Sequence, residues 1–501
     1  MKRVILTGLL IIVLLFLFFT ACGGQKRTDG ALSVTTTGFA LDILNTDSPI
    51  YQELEKLTGT TLDIRFVPDR QYMEIFSALL ASRSLTDVMY VDDLMNNAFN
   101  MAIRGNAFWR LNDYIPLLPN ISTVNPELLR RGSLEGDIYG LSRDRAIGRL
   151  GMYYRRDWAD RLGIPHPQTI EDLYEMARAF THDDPTGTGR TTFGLTEGRT
   201  IGQGSFAVLG AWFGAGAGGG PTRNFMLDRT NRIIPVFAAD EYIDSMNFSR
   251  RLFSEGLMNR DFITTANRTN NIVNGSAGIS MGPMDDAISA MTNLRRLEPE
   301  AEFAFVGALD AGLGLIAAAE NPGFKGYYSF SRTTLRTEAD LMRALMFFDA
   351  MNTVEVNNLL EFGIEGTDFI VQDGVAVVTP EQNDSFRIKR HDLGQMRTFN
   401  LTVNQAIPRL LTPFQTALDE AITENSIRFV TGVENGLYSA TLARMGHTLQ
   451  VEINDANARY IMGELDEAGW REAVAAWFSA GGDRIVEELT ASHRRFLAHG
   501  D

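Results

Sequence analysis

Several aromatic residues stand beside glycine or polar residues instead of inside apolar runs, and Tyr90, Trp109, Trp212, Phe213, Tyr327 and Tyr328 are the candidates. An aromatic ring offers an apolar face to the C–H face of a sugar, while Asp, Asn and Arg edges take its hydroxyls; such rings bury much area for little entropy. Together they predict a carbohydrate-type cleft, although each ring alone also fits a core position. The adjacent carboxylates Asp92–Asp93 and Asp285–Asp286 suit a solvated turn or a sugar-hydroxyl acceptor better than acid/base catalysis, because 62 acidic residues generate such pairs by chance.

Other chemistries find less support. Asp184, Thr186, Thr188 and Arg190 follow the alternating oxygen spacing of a calcium loop. Thr186, Thr188 and Thr192, however, stand where carboxylates or amides would supply charge, and Leu195 stands where the bidentate Glu belongs. The prediction is a turn shaped by its glycines, with no calcium or other cofactor. Gly214 to Gly219 satisfies the spacing G-x-G-x-x-G, yet Pro221 and Asn224 follow where a nucleotide-binding helix should begin. The six histidines form no H-E-x-x-H pair, and Gly204-Ser205-Phe206 is not a nucleophile elbow.

A net charge of −16 repels a polyphosphate backbone, so nucleic acid is excluded as a partner. At 501 residues the chain exceeds one ordinary domain. Its N-terminus carries Lys2 and Arg3, an apolar run from Val4 to Phe19, and then Thr20-Ala21-Cys22. That run is shorter than the roughly 18 to 20 residues of a comfortable membrane span, so residues 1–21 read as a signal peptide and 22–31 as a flexible leash. The junction resembles the bacterial lipobox, which implies lipidation of Cys22 and a protein held to the membrane on its extracytoplasmic side. Cys22 is the one cysteine, so no intramolecular disulfide can form.

The elements that must position these residues alternate. Leu32–Gly38, Thr61–Val67 and Asp87–Val91 have strand patterning, and helices are predicted from Ser48, with Pro49 at its first turn, to Gly59, and over Tyr72–Ser82. This favours an α/β fold with a largely parallel sheet. The pattern restarts near Leu150: Gly151–Tyr154 reads as strand, and Thr169 caps a helix whose apolar face is Ile170, Leu173, Ala177 and Phe180. Helical periodicity returns over Glu241–Glu255 and Leu341–Met351, and the C-terminal region reads as helices interrupted at Gly481-Gly482.

Read in order, the segments resemble the bacterial extracellular solute-binding proteins of the sugar-transporter type, particularly the larger lipoprotein branch related to alginate and oligosaccharide binders. The residues that carry the likeness are Tyr51–Gly59, Leu80–Tyr90, Glu135–Leu141, Tyr153–Gly163, Pro167–Ala177, Phe362–Gly366 and Trp470–Phe496. The resemblance implies a two-lobe α/β binding protein of the type II periplasmic kind, joined by crossover strands. One lobe would comprise residues 32–148 and 327–395, the other 149–326 and 396–501. It implies capture of an oligosaccharide or related glycoside by lobe closure, and delivery to the permease subunits of an ABC importer by a monomer that is not an enzyme. Tyr90 and Asp92 would line one lobe, with Trp109 a further ring. Trp212, Asp285, Tyr327 and Tyr328 would face them, and Arg143 and Arg145 near the crossover would read a carboxylate if the sugar is acidic. A surface glycosidase or lyase, or a ligand sensor without transport, are the alternative readings.

Overall fold

The computed structural model describes residues 30–38, 47–199, 204–216, 224–318, 323–378, 392–399, 407–429 and 432–498. Cys22, the leader, most of the leash and residues 217–219 of the glycine run lie outside them. Local signals act where they stand. The Ser48 side chain accepts from the Tyr51 N–H, Pro49 occupies the first turn, and Gly59 closes the helix Pro49–Thr58 at φ 62°. Thr169 and Asp172 form a reciprocal capping box at the helix Ile170–His182, which buries Ile170, Leu173, Ala177 and Phe180.

The first sheet has the strand order β2-β1-β3-β11-β4. Its members are β1 (Leu32–Gly38), β2 (Leu62–Pro68), β3 (Val88–Val91), β4 (Leu141–Asp144) and β11 (Phe324–Phe330). β1 pairs parallel with β2 and β3, and β11 runs antiparallel to both β3 and β4. The one reversed strand is the one that returns to this sheet after the chain has built a second. That second sheet, β10-β5-β9-β6, contains β5 (Leu150–Arg155), β6 (Phe193–Thr196), β9 (Ala277–Pro283) and β10 (Phe303–Val306). It is mixed: only β6 and β9 are parallel, and between them in the chain β7 (Phe225–Leu227) and β8 (Ile233–Pro235) pair as a separate antiparallel ribbon.

Each sheet has its own core. Val34, Val88, Met89, Tyr328, Phe330 and Phe348 belong to one; Met152, Trp158, Phe180, Trp212, Ile279 and Met281 belong to the other. The chain is therefore a two-lobe α/β protein, and it passes from the first lobe to the second between Asp144 and Leu150. Two expected boundaries shift. A division at residue 327 would cut β11, whose pairing with the first sheet begins at Phe324. Met396 and Phe399, expected in the second lobe, pack in the first core, and Thr398 accepts from Asn352 Nδ2 at 3.1 Å.

The helices Ala440–Met462, Glu467–Trp477 and Asp483–Ala498 pack with residues 225–246 on the second lobe. The break between the last two falls at Gly481, whose φ of 139° suits glycine. One flank of this layer touches the first lobe. Glu135 accepts from Ser492 Oγ at 2.8 Å and pairs with Arg495, its N–H donates to the Gly436 carbonyl at 3.0 Å, and Arg130 lies 3.9 Å over the Phe496 ring. Among the described residues no helix is long and apolar enough to cross a membrane.

Candidate functional site

Parallel pairing of β1, β2 and β3 brings their carboxyl ends to one edge of the first lobe, the position where open α/β sheets hold ligands. Asp69, beginning the helix Asp69–Ser82, and Asp92, just after β3, stand there. On the second lobe, the antiparallel register that pairs Leu150 with Pro283 places Arg149 next to Asp285. Their side chains form a two-pronged ion pair, Nε to Oδ1 at 3.0 Å and Nη2 to Oδ2 at 2.9 Å.

Two cavities meet at Arg145 and Arg149. The smaller, about 260 Å³, is a recess walled by Asp69, Tyr72, Met73, Tyr90, Asp92, Arg143, Arg145, Arg149 and Lys325. The larger, about 1210 Å³, opens between the lobes: Glu361, Gln395 and Arg397 wall it from the first, Asp285, Thr292, Phe303 and Phe414 from the second. Gln395 ties the crossover to the first sheet. Its carbonyl accepts from the Tyr328 hydroxyl at 3.0 Å, and its side-chain oxygen accepts from Arg145 Nη2 at 2.7 Å.

Inside the recess, the Tyr90 hydroxyl donates to Asp92 Oδ1 at 2.9 Å. Burial pushes the Tyr90 phenol far above its ordinary pKa, with Arg143 opposing and Asp92 reinforcing the shift, so it remains a donor at any physiological pH. Arg143 is 2% exposed; its Nε donates to the Lys325 carbonyl at 2.9 Å and its guanidinium lies 4.4 Å over the Tyr90 ring. A bulge in β11 makes room for this arrangement. Gly326 has φ 77°, and a Cβ there would collide with the Tyr90 hydroxyl.

The structure thus brings Tyr90, Asp92, Arg143, Arg145 and Asp285 to the cavities and takes the other four expected residues away. Trp109 is packed in the first core, with Nε1 donating to the Leu335 carbonyl at 2.9 Å and Arg332 covering its ring at 4.2 Å. Trp212 is fully buried at the end of the helix Ser205–Trp212. Tyr327 and Tyr328 are neighbours on a central strand, so they point to opposite faces, and both faces are covered.

A protein-sequence relative decides the family. The chain is 30% identical over 447 residues, covering 89% of itself and 88% of the relative, to the polygalacturonan/rhamnogalacturonan-binding protein YtcQ of Bacillus subtilis (strain 168). The chain belongs to the bacterial extracellular solute-binding protein family. This binding protein is also 29% identical over 460 residues to lipoprotein LipO of the same organism, covering 88% of each chain. Its fold matches that of the S. pneumoniae ABC-transporter substrate-binding protein FusA in complex with kestose, at a TM-score of 0.69 and 16% identity, over 94% of this chain and 100% of that one. No protein-family profile matches the chain.

Among the lining residues that the sequence alone did not single out, Arg149 and Lys325 carry positive charge. Arg149 lies on the same crossover as Arg143 and Arg145, so extending that basic run by four residues was the available signal. Lys325 comes from β11, some 180 residues away, and nothing local marks it. Elsewhere on the solute-binding protein, the Asp184 loop closes on itself. Asp184 Oδ1 accepts from Thr186 Oγ1 at 2.9 Å and the Thr188 N–H at 3.2 Å, and Oδ2 accepts from the Gly189 N–H at 3.0 Å. These donors, the Gly189 N–H foremost, hold the Asp184 carboxyl below its ordinary pKa. Arg190 turns away to the Asn274 carbonyl and to Glu298. Among the described residues no group of three His, Cys, Asp or Glu side chains is placed to share a metal ion. The glycine run is no nucleotide turn, because Gly214 and Gly216 follow a helix, and the next described element is a strand, Phe225–Leu227.

Proposed function

We propose that this chain captures an oligosaccharide between its lobes and hands it, chemically unchanged, to the permease subunits of an ABC importer. The observation that carries the reading is the cavity of about 1210 Å³ whose walls come from both lobes. A ligand touching both walls favours the closed arrangement by the difference in its affinity for closed and open states, and by no more. The ligands named for the similar proteins differ: YtcQ is named for polygalacturonan and rhamnogalacturonan, and FusA was solved with kestose. The class common to them is an oligosaccharide. Phe303 and Phe414 supply apolar faces, and the Arg149–Asp285 pair and Gln395 supply hydroxyl partners. A micromolar ligand requires a net of roughly 8 kcal/mol, within reach of stacked rings and several charge-assisted hydrogen bonds.

Cys22 is the lipid attachment point in this reading, which the likeness to a lipoprotein supports, and the receptor works as a monomer on the extracytoplasmic side. It needs no calcium, since the Asp184 loop meets its own oxygens with its own donors. Calorimetric titration of the purified protein with an oligosaccharide panel, followed by chromatography of the recovered sugar, tests the whole reading. One saturable ligand recovered intact is the expected result; cleavage products would make the chain a glycan-active enzyme, and indifference to every sugar would end the proposal.

A further inference from the structure

We propose that the recess of about 260 Å³ is a carboxylate subsite, which makes the ligand an acidic, uronate-bearing oligosaccharide seated with one carboxylate on Arg143 and Lys325. This rests on the oligosaccharide-receptor reading and narrows it. Three observations meet here. First, the sign of charge: the recess gathers Arg143, Arg145, Arg149 and Lys325 against Asp69 and Asp92, an excess of cations in a protein of net charge −16. A low-dielectric recess focuses that field on an arriving anion.

Second, Arg143 has an unmet need. Its Nη1 is buried and has no hydrogen-bond partner, although its Nε is satisfied by the Lys325 carbonyl and its plane by the Tyr90 ring. A buried guanidinium left with a bare donor is costly, and an acceptor brought by a ligand relieves the cost. Third, the carboxylates at hand are bonded to other donors: Asp92 accepts from the Tyr90 hydroxyl and Asp69 from the Thr37 hydroxyl, while Asp285 is held by the fork of Arg149. With no protein acceptor on Arg143 Nη1 among the described residues, a carboxylate entering the recess can complete it.

The size of the recess sets the extent of what enters. Its volume falls just below the roughly 300 Å³ of the smallest drug-sized sites, so it suits one sugar residue, while the remainder of the chain extends into the wider cavity past Arg145 and Arg149. A planar carboxylate matches a guanidinium edge, and Lys325, exposed at the rim, adds a mobile point charge.

The test titrates wild-type protein, Lys325→Met and Arg143→Met with trigalacturonate, its methyl ester, neutral galactotriose and a sulfated trisaccharide. Trigalacturonate should bind wild type at least about tenfold more tightly than the ester or the neutral sugar. Added salt should weaken the acid alone. Lys325→Met should reduce only the affinity for the acid. Equal binding of acid and ester by wild type overturns the carboxylate subsite while leaving the receptor reading intact, and needs no variant that might fold poorly. Preference for the sulfated sugar likewise overturns it. Binding of none of the sugars removes the receptor reading and this inference together.

Discussion

A tryptophan between an alanine and a phenylalanine, ahead of a glycine run, invites the idea of a stacking platform, yet Trp212 has no exposed surface. Its worth is in packing. Trp212→Ala should lower unfolding free energy by about 3–5 kcal/mol in urea titrations, while the affinity of the folded fraction for its sugar stays within about twofold; a large affinity loss at unchanged stability would return Trp212 to the cleft. Glu434 gives a prediction in pH. It accepts from the Phe225 N–H at 3.0 Å, and burial pushes its carboxyl from 4.5 up to about 7. An acid whose folded pKa is raised binds protons in the folded state that the unfolded chain has released. The associated stability is therefore fully present below pH 4.5 and is lost as pH rises toward 7. Glu434→Gln should flatten that decline, by on the order of 1–2 kcal/mol for a partly buried group, in denaturation curves taken across the window. Parallel pH profiles for the two proteins would contradict this.

At the scale of elements, the bulged strand β11 decides the geometry of the recess. Gly326→Ala adds a methyl both where the backbone has φ 77° and where the Tyr90 hydroxyl sits. It should cost about 1–3 kcal/mol of stability, and it should weaken ligand binding as well, because Tyr90 carries Asp92 with it. Calorimetry on the folded variant separates the two effects, and unaltered affinity would show that the Tyr90–Asp92 pair is not part of the subsite. The turn at Asp184 makes the opposite kind of prediction. A loop that satisfies itself gains nothing from a cation, so EDTA should leave the thermal midpoint unchanged, whereas a calcium-loaded loop would lose stability by mass action.

For the whole molecule, the question is what holds the lobes in register besides the crossovers. The flank contact at Glu135, with Ser492, Arg495 and the Gly436 carbonyl, ties the C-terminal helices to the first lobe. Glu135 and Arg495 are partly exposed, and such pairs contribute no more than about 1 kcal/mol each. Glu135→Ala should thus loosen the contact and reduce sugar affinity by roughly fivefold at most. X-ray scattering should show a larger radius of gyration for the ligand-free variant. If neither size nor affinity changes, the flank contact has no part in closure.

Much of this was legible in one dimension because it rests on short-range physics. Ser48, Gly59 and Thr169 terminate their helices through hydrogen bonds and backbone conformations that need only the residues beside them. The strand patterning at Leu32–Gly38 and Gly151–Tyr154 likewise marked the two sheets, and the motif order marked the family. Arg143 and Arg145 were visible as a basic run on the crossover. Which ring faces a ligand was not visible, since burial of Trp109, Trp212, Tyr327 and Tyr328 is settled by what packs over them from distant segments. The recess itself exists only once β11 returns to lie beside β3 and β4, bringing Lys325 and the Gly326 bulge against Tyr90 and Arg143. Sequence determines an element from its neighbours; a site depends on long-range contacts, which only the closed tertiary fold supplies.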